Sequence, residues 1–372
     1  MRPLALALLA LAAPLACSSS PAPAPDATVA PDAAPDVAPD ASPAPDVAAP
    51  DAPAASCPAP LGTPAPRTAQ PTYGPLDDTL RVHHLQALGT HNSYHLRPAS
   101  PVPEWDYSHA PLDVQLGQQG VRALELDLHW IDECGRFLVR HIPVFDGRST
   151  CDSFVDCLTL VRRWSDANPS HHPLFLHLEP KGDWPDAVVE QRLTAMEREI
   201  LSVFPRELVI TPDEVRGTSA TLAEAVRARG WPTLRAARGR VLFYIDRTDN
   251  LRTIYTHNNR DLAGRLAFVD AARTDPFAGV LVLNNARSAE VPMAVRENFL
   301  VRVFAWSAPD TRDDALVQAA FDSGAHIVST DFPAVTPTVP RPVQVPGGTP
   351  SRCNPLTAPM GCTAEAVERL PR

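Results

Sequence analysis

In the stretch ALGTHNSYHLRP, residues 87–98, two histidines, an asparagine, a serine and a tyrosine follow a short apolar run. His91 and Asn92 bring chemistry within reach: an imidazole that can carry a proton, and an amide oxygen that can face a cation. Further on, ALELDLHW sets Glu125 and Asp127 two apart. On a strand that spacing turns both carboxylates to one face. Side by side and away from water they resist ionisation, so positive charge is expected between them. Glu179, in LHLEPK, and the amide oxygen of Asn92 extend the pair to an all-oxygen anionic set suited to a hard divalent cation, calcium before magnesium. A competing reading pairs one carboxylate with Arg122 or Lys181 and leaves the other to cap a loop. His91 and His141 each close an apolar run. Two imidazoles suit phosphodiester cleavage: one takes a proton from an attacking hydroxyl or steadies charge at phosphorus, and the other protonates the leaving oxygen.

Other residues fit less well. His177 lies two before Glu179 but beside an apolar run, and reads as core. His83, His84, His171 and His172 precede candidate strands, whereas His95, His109, His129 and His257 have no evident partner. Ser93 lacks the GxSxG setting of a serine hydrolase, and no CxxC pair suggests zinc.

Something must carry these groups to one place. From about residue 78, eight β-rich runs alternate with helical ones: HHLQALG, VRALELDLHW, RFLVRHI, HPLFLHLEP, RVLFYID, GVLVLNN, LVRVFAWS and HIVSTDF. Amphipathic helices are expected in VDCLTLVRRWSDANP, AVVEQRLTAMEREILSVF, TLAEAVRARG and TRDDALVQAAFDSGA, the last with a Thr cap and Gly324 at its close. Eight strands alternating with helices over about 260 residues give the rhythm of an α/β, TIM-type (β/α)8 barrel forming a single catalytic domain, with a doubly wound sheet as runner-up. A barrel keeps its active site at the C-terminal ends of its strands. The polar residues gather at those ends: His91 and Asn92, Glu125 and Asp127, His141, Glu179 and Lys181, Asp246, Asn284, Trp306 and Asp331.

The flanks read differently. MRPLALALLALAAPLAC, with one basic residue and an apolar run too short to span a bilayer, reads as an export signal over residues 1–16. Cys17 followed by SSS suggests a surface lipoprotein, with ordinary secretion as the alternative. Residues 17–77 are rich in Ala, Pro and Asp and read as an extended, disordered stalk. The barrel is assigned to 78–337 and a Pro-rich tail, expected to fold back as a clamp, to 338–372. Removing six stalk aspartates and Arg2 from the formal charge of −10 leaves −5 for the remainder. That balance gives no reason to expect nucleic acid and offers no broad basic face for anionic membranes; a monomer is expected. Six cysteines besides Cys17 point to three disulfides. Short loops favour Cys151 with Cys157 and Cys353 with Cys362, leaving Cys57 for Cys134, although sequence does not choose among the fifteen pairings.

The segments GTHNSYH, VRALELDLHW, CLTLVRRWSDANPSHHPLFLHLEPK, ITPDEVRG, GWPTLRAARGRVLFYID and SGAHIVSTDFP resemble, in order through residues 85–333, the calcium-dependent phosphoinositide-specific phospholipase C family in its bacterial secreted branch. The resemblance implies that His91 stabilises the pentacoordinate phosphorus, that Asn92, Glu125, Asp127 and Glu179 ligate calcium, and that His141 is the general acid. It also implies that Lys181 meets the phosphate or the inositol hydroxyls of a phospholipid at a membrane surface. Glu179 is a candidate for the general base while it serves as a ligand. One stretch departs from the family. RVFAWSAPDT puts Trp306 where a charged reader is expected, so Arg302 and Trp306 are assigned to substrate contact, the ring to stack on inositol or close the pocket. Two rivals remain at this level. A glycerophosphodiester phosphodiesterase would also use a barrel, a metal, an ExD pair and two histidines, but calls for an HRG-type opening that THNSYH does not supply. A surface binding protein would have the barrel without the chemistry.

Overall fold

The computed structural model describes residues 57–306, 312–347 and 350–368. The export signal, Cys17 and the stalk through residue 56 lie outside them. The strands are β1 (Leu85–Thr90), β2 (Val121–Ile131), β3 (Arg136–Val139), β4 (Leu174–Pro180), β5 (Val241–Ile245), β6 (Phe268–Val269), β7 (Val280–Asn285), β8 (Leu300–Trp306), β9 (Ile327–Thr330) and β10 (Ser351–Cys353). Their order is β6-β5-β4-β2-β1-β9-β8-β7, all neighbours parallel. A parallel bridge from Asp270 to Val280 joins the two ends. The result is an eight-stranded parallel barrel with helices in the connections, the expected (β/α)8 fold.

Two errors cancel in the expected strand count. RFLVRHI does not enter the barrel; its first four residues are β3, which pairs antiparallel with the overhanging end of β2, Leu128 opposite Val139 and Ile131 opposite Arg136. The missing barrel strand is β6, only Phe268 and Val269, too short to show a period. The helices Phe154–Ala167, Asp186–Val203 and Leu222–Arg229 fall where amphipathic patterns put them. The helix Asp314–Asp322 is capped by Asp313, whose side chain accepts from the backbone N–H of Ala315 and Leu316, rather than by a threonine.

Packing forces one choice at the mouth. At Gly89 a Cβ would lie 3.0 Å from side-chain atoms of both Ala123 and Ile327, so β1 approaches its two neighbours only without a side chain there.

Both flanks are bound to the barrel. Residues 57–77 were assigned to the stalk by composition, yet Cys57 is disulfide-bonded to Cys134 and the Arg67 side chain, 6% exposed, donates to Asp166 at 2.8 Å. Asp77 and Arg238, both fully buried, pair at 2.6 Å. The other bridges are Cys151–Cys157 and Cys353–Cys362, the pairing that loop length favoured. At the other flank β10 adds antiparallel to β1, Leu85 opposite Cys353. Glu368 then reaches Arg122 at 3.2 Å and the backbone N–H of His172 at 3.2 Å, at the N-terminal ends of β2 and β4. The tail therefore covers the end of the barrel opposite the expected active site. Arg122 is fully buried, so removing its partner leaves a charge without compensation. Glu368→Ala should cost about 3–5 kcal/mol in urea unfolding with the disulfides intact; a loss under about 1 kcal/mol would show that the tail is ornamental.

Candidate active site

The loop after β1 is built from its own residues. Asn92 adopts a left-handed φ of 43°, which Asn tolerates better than most side chains. Ser93 Oγ accepts the backbone N–H of Glu125 at 2.8 Å and meets Thr90 Oγ1 at 2.7 Å, tying this loop to β2. Tyr94 donates to Asn92 Oδ1 at 3.2 Å. Thr90, Ser93 and Tyr94 are scaffolding for the two residues between them.

Glu125, Asp127 and Glu179 converge as their spacing predicts: one oxygen from each lies within 4.8 Å of the others. They sit on adjacent strands in register, Asp127 opposite Glu179. The Asp127 side chain is buried. Burial pushes its carboxyl up to about 7, Lys181 pulling against that while Glu179 and Glu125 add to it. Lys181 Nζ lies 3.0 Å from Asp127 Oδ2 and also pairs with Glu179, and the two carboxylates hold it protonated despite burial. Three carboxylates within 4.8 Å, two of them buried, with Lys181 against Asp127 and Glu179 and only oxygen donors, fit a hard cation.

Glu125 has a second role. Its Oε2 lies 2.8 Å from Arg302 Nη2 and 2.9 Å from His177 Nδ1, while Oε1 is 3.6 Å from His91 Nε2. Burial alone would raise its pKa, but His177, His91 and Arg302 hold it well below the usual carboxylate range. His177, which sequence reasoning set aside as core, stacks on Tyr244 and donates from Nε2 to Asp246 at 3.1 Å. Between two carboxylates its imidazolium is pushed up to about 10 in spite of burial. Its position two before Glu179, on the same face of β4, was the available signal.

His91 is 32% exposed and donates from Nδ1 to the buried Asp331 at 2.8 Å. Burial would lower its pKa; Asp331 and Glu125 overcome that and raise it to about 9, so the ring is an imidazolium at neutral pH. His141 does not end a barrel strand. It follows β3, which runs antiparallel to β2 and so returns His141 toward the level of Asp127, whose carbonyl accepts the Arg140 N–H at 3.4 Å. His141 Nδ1 donates to Asp146 at 2.8 Å. Two histidines that had no evident partner hold the backbone of these residues: His109 Nε2 lies 2.9 Å from the carbonyl oxygen of His91, and His129 Nε2 2.9 Å from that of His141.

The two residues assigned to substrate contact are both buried. Arg302 is 3% exposed and bound to Glu125 and Asn284. Trp306 is 5% exposed, with Phe332 at 4.3 Å between ring centroids and Arg312 over its face.

A sequence model of calcium-dependent phosphoinositide phospholipase C matches residues 80–140 and 135–355. The chain belongs to this family. The phospholipase is also similar in fold to solved structures. One is a calcium-dependent phosphoinositol-specific phospholipase C from a Gram-negative Pseudomonas species: 18% identity, TM-score 0.58, covering 77% of this chain and 100% of that one. Another is the calcium-dependent phosphatidylinositol-specific enzyme from Streptomyces antibioticus: 21% identity, TM-score 0.51, covering 68% and 96%. No curated protein matches the phospholipase. Family membership makes it a calcium-dependent enzyme, and the Glu125, Asp127 and Glu179 cluster suits that ion.

The raised His91 pKa has a testable sign. The His91 pair with Asp331 stabilises the fold fully below the unfolded imidazole pKa, and that contribution is lost as pH rises through about 9. An NMR titration of the calcium-free phospholipase should show His91 with a midpoint near 9, moved toward the ordinary imidazole range by Asp331→Asn. A midpoint indifferent to that substitution would remove Asp331 from the account.

Proposed function

We propose that this phospholipase cleaves phosphatidylinositol-type lipids by attack of the inositol 2-hydroxyl on its own phosphodiester, releasing diacylglycerol and a 1,2-cyclic inositol phosphate. The observation that carries the reading is the convergence of an imidazolium, His91, with the Glu125, Asp127 and Glu179 carboxylates at one mouth of the barrel. Calcium, held by Asn92, Glu125, Asp127 and Glu179, would lower the pKa of the attacking hydroxyl and offset charge on the phosphoryl oxygens. His91 would stabilise the pentacoordinate phosphorus by donating from the nitrogen not used on Asp331. Glu179 would take the proton of the 2-hydroxyl as its oxygen bonds to phosphorus. His141 would give a proton to the glycerol oxygen as the phosphorus–oxygen bond to glycerol breaks. Lys181, 24% exposed beside these carboxylates, would steady the phosphate or the inositol hydroxyls.

The same reading takes a phospholipid surface as partner. Among the described residues no helix is long and apolar enough to cross a membrane. Next to His141, however, Ile142, Val144 and Phe145 are exposed, the last two by 83% and 74%, and Trp105 packs edge-on against the His141 ring. Apolar side chains of that size left in water around a reactive group suit a lipid interface. Three disulfides suit an oxidising compartment, and we extend this to display of the enzyme outside the cell, through Cys17 or by secretion.

The purified protein should release water-soluble inositol phosphate from phosphatidylinositol vesicles with calcium, falling at least about 100-fold in excess chelator or on His91→Ala. Release that ignores the chelator would overturn the oxygen-ligand site. Replacing Val144 and Phe145 together by Ser should weaken vesicle binding and vesicle turnover about tenfold or more, while a soluble inositol phosphodiester is cleaved at an unaltered rate. Equal losses on both substrates would count against the lipid-facing rim.

A further inference from the structure

Two residues near His141 have no place in the reaction described above, and both are buried. Asp146 follows His141 by five positions, on the return side of a tight hairpin in which Ile142 and Asp146 exchange backbone hydrogen bonds of 3.1 and 2.8 Å. At the tip Val144 has a φ of 80°, a conformation that β-branched residues rarely accept. The hairpin holds that geometry and turns the Asp146 carboxylate under the His141 ring. The Asp146 side chain has no exposed surface, yet it meets two imidazoles: His141 Nδ1 at 2.8 Å, and His95 Nε2 at 2.9 Å to one oxygen and 3.0 Å to the other.

An ionised carboxylate only accepts hydrogen bonds, so both rings must donate to it. Burial would raise the Asp146 pKa, but the two histidines bring it below the ordinary value. For His141 this places a hydrogen on Nδ1 and leaves Nε2 as the nitrogen that takes up and delivers a proton. His95 is fully buried beside Tyr107, and its other ring nitrogen, Nδ1, has no hydrogen-bond partner. A side chain that merely filled this space would not bear that cost; an apolar residue would fill it better.

We propose that Asp146 is a positioning residue for His141, fixing the tautomer and orientation that aim Nε2 at the leaving oxygen, and that His95 holds Asp146 in place from the other side. The inference rests on the proposed role of His141 as general acid. It also gives the last residue of THNSYH a purpose: the loop that carries His91 at its start supports the second histidine of the site at its end.

The test compares two soluble inositol phosphodiesters in the calcium-loaded full chain, one with a simple alkyl alcohol as leaving group and one with 4-nitrophenol. A nitrophenolate departs without a proton, so loss of the acid is felt on the alkyl ester alone. Asp146→Asn and the reference variant His141→Ala should each lose about 100-fold or more on the alkyl ester and less than about tenfold on the aryl ester. Equal losses on both esters for Asp146→Asn would reduce Asp146 to a structural staple and overturn the proposal, as would no loss on either. If His141→Ala itself fails to discriminate, the acid assignment fails and the proposal falls with it; if the unsubstituted protein cleaves neither ester, the proposed function fails first. Should Asp146→Asn not fold, His95→Asn reads the same ratio, with a smaller alkyl-selective loss expected and an equal loss on both esters again overturning the proposal.

Discussion

The site depends on keeping one deeply buried carboxylate ionised. Glu125 has given up water, and it stays charged only because Arg302, His177 and His91 surround it. Each of those groups is fixed in turn: Arg302 by Asn284, His177 by Asp246 and the Tyr244 ring, His91 by Asp331. The network of ion pairs and hydrogen bonds therefore runs from β2 to β4 and β8 and to the ends of β5, β7 and β9. TIM barrels ordinarily fill this layer with Val, Ile and Leu. Here an ionic lattice takes their place at the mouth, and apolar residues close the rest of the core.

One consequence of that lattice is a division of charge across the mouth. On the Asp127 side, carboxylates outnumber cations, and the excess is what a divalent ion would neutralise. On the His91 side, an imidazolium faces outward from between Asp331 and Glu125, poised toward an anion. A phosphodiester bound between the two would bridge a metal and a proton donor, so the arrangement of fixed charges before substrate arrives already anticipates where negative charge grows.

Much of this could be read in the sequence where a strong period exposed it. The two-residue spacing of Glu125 and Asp127 sits inside an alternating apolar strand, and the structure turns both inward as that spacing requires. Asn92, Glu179, Lys181 and Asp331 lie at or just beyond the C-terminal ends of β1, β4 and β9, where the apolar runs put them. Periodicity failed where contacts are tertiary. His177 shares its pattern with any core residue, and only the approach of Glu125 and Asp246 from other strands makes it an imidazolium. Arg302 and Trp306 have the spacing of mouth residues, yet their partners come from elsewhere and cover them. β6 is two residues long and carries no period. Composition misplaced the edge of the stalk, since residues 57–77 are poor in large apolar groups and are held by Arg67, Asp77 and Cys57 instead.

His141 stands apart from this lattice. It is carried on an antiparallel excursion, β3 and the turn after it, grafted to the overhanging end of β2 and stapled at its far turn by Cys57–Cys134. The ring of eight strands closes without β3, yet the excursion is seated in the core by Phe137 and Val139, and the Phe137 N–H donates to Glu199 on the helix Asp186–Val203. The half of the chemistry that gathers charge is thus part of the ring, whereas the half that faces the departing alcohol stands on a packed outrigger beside it.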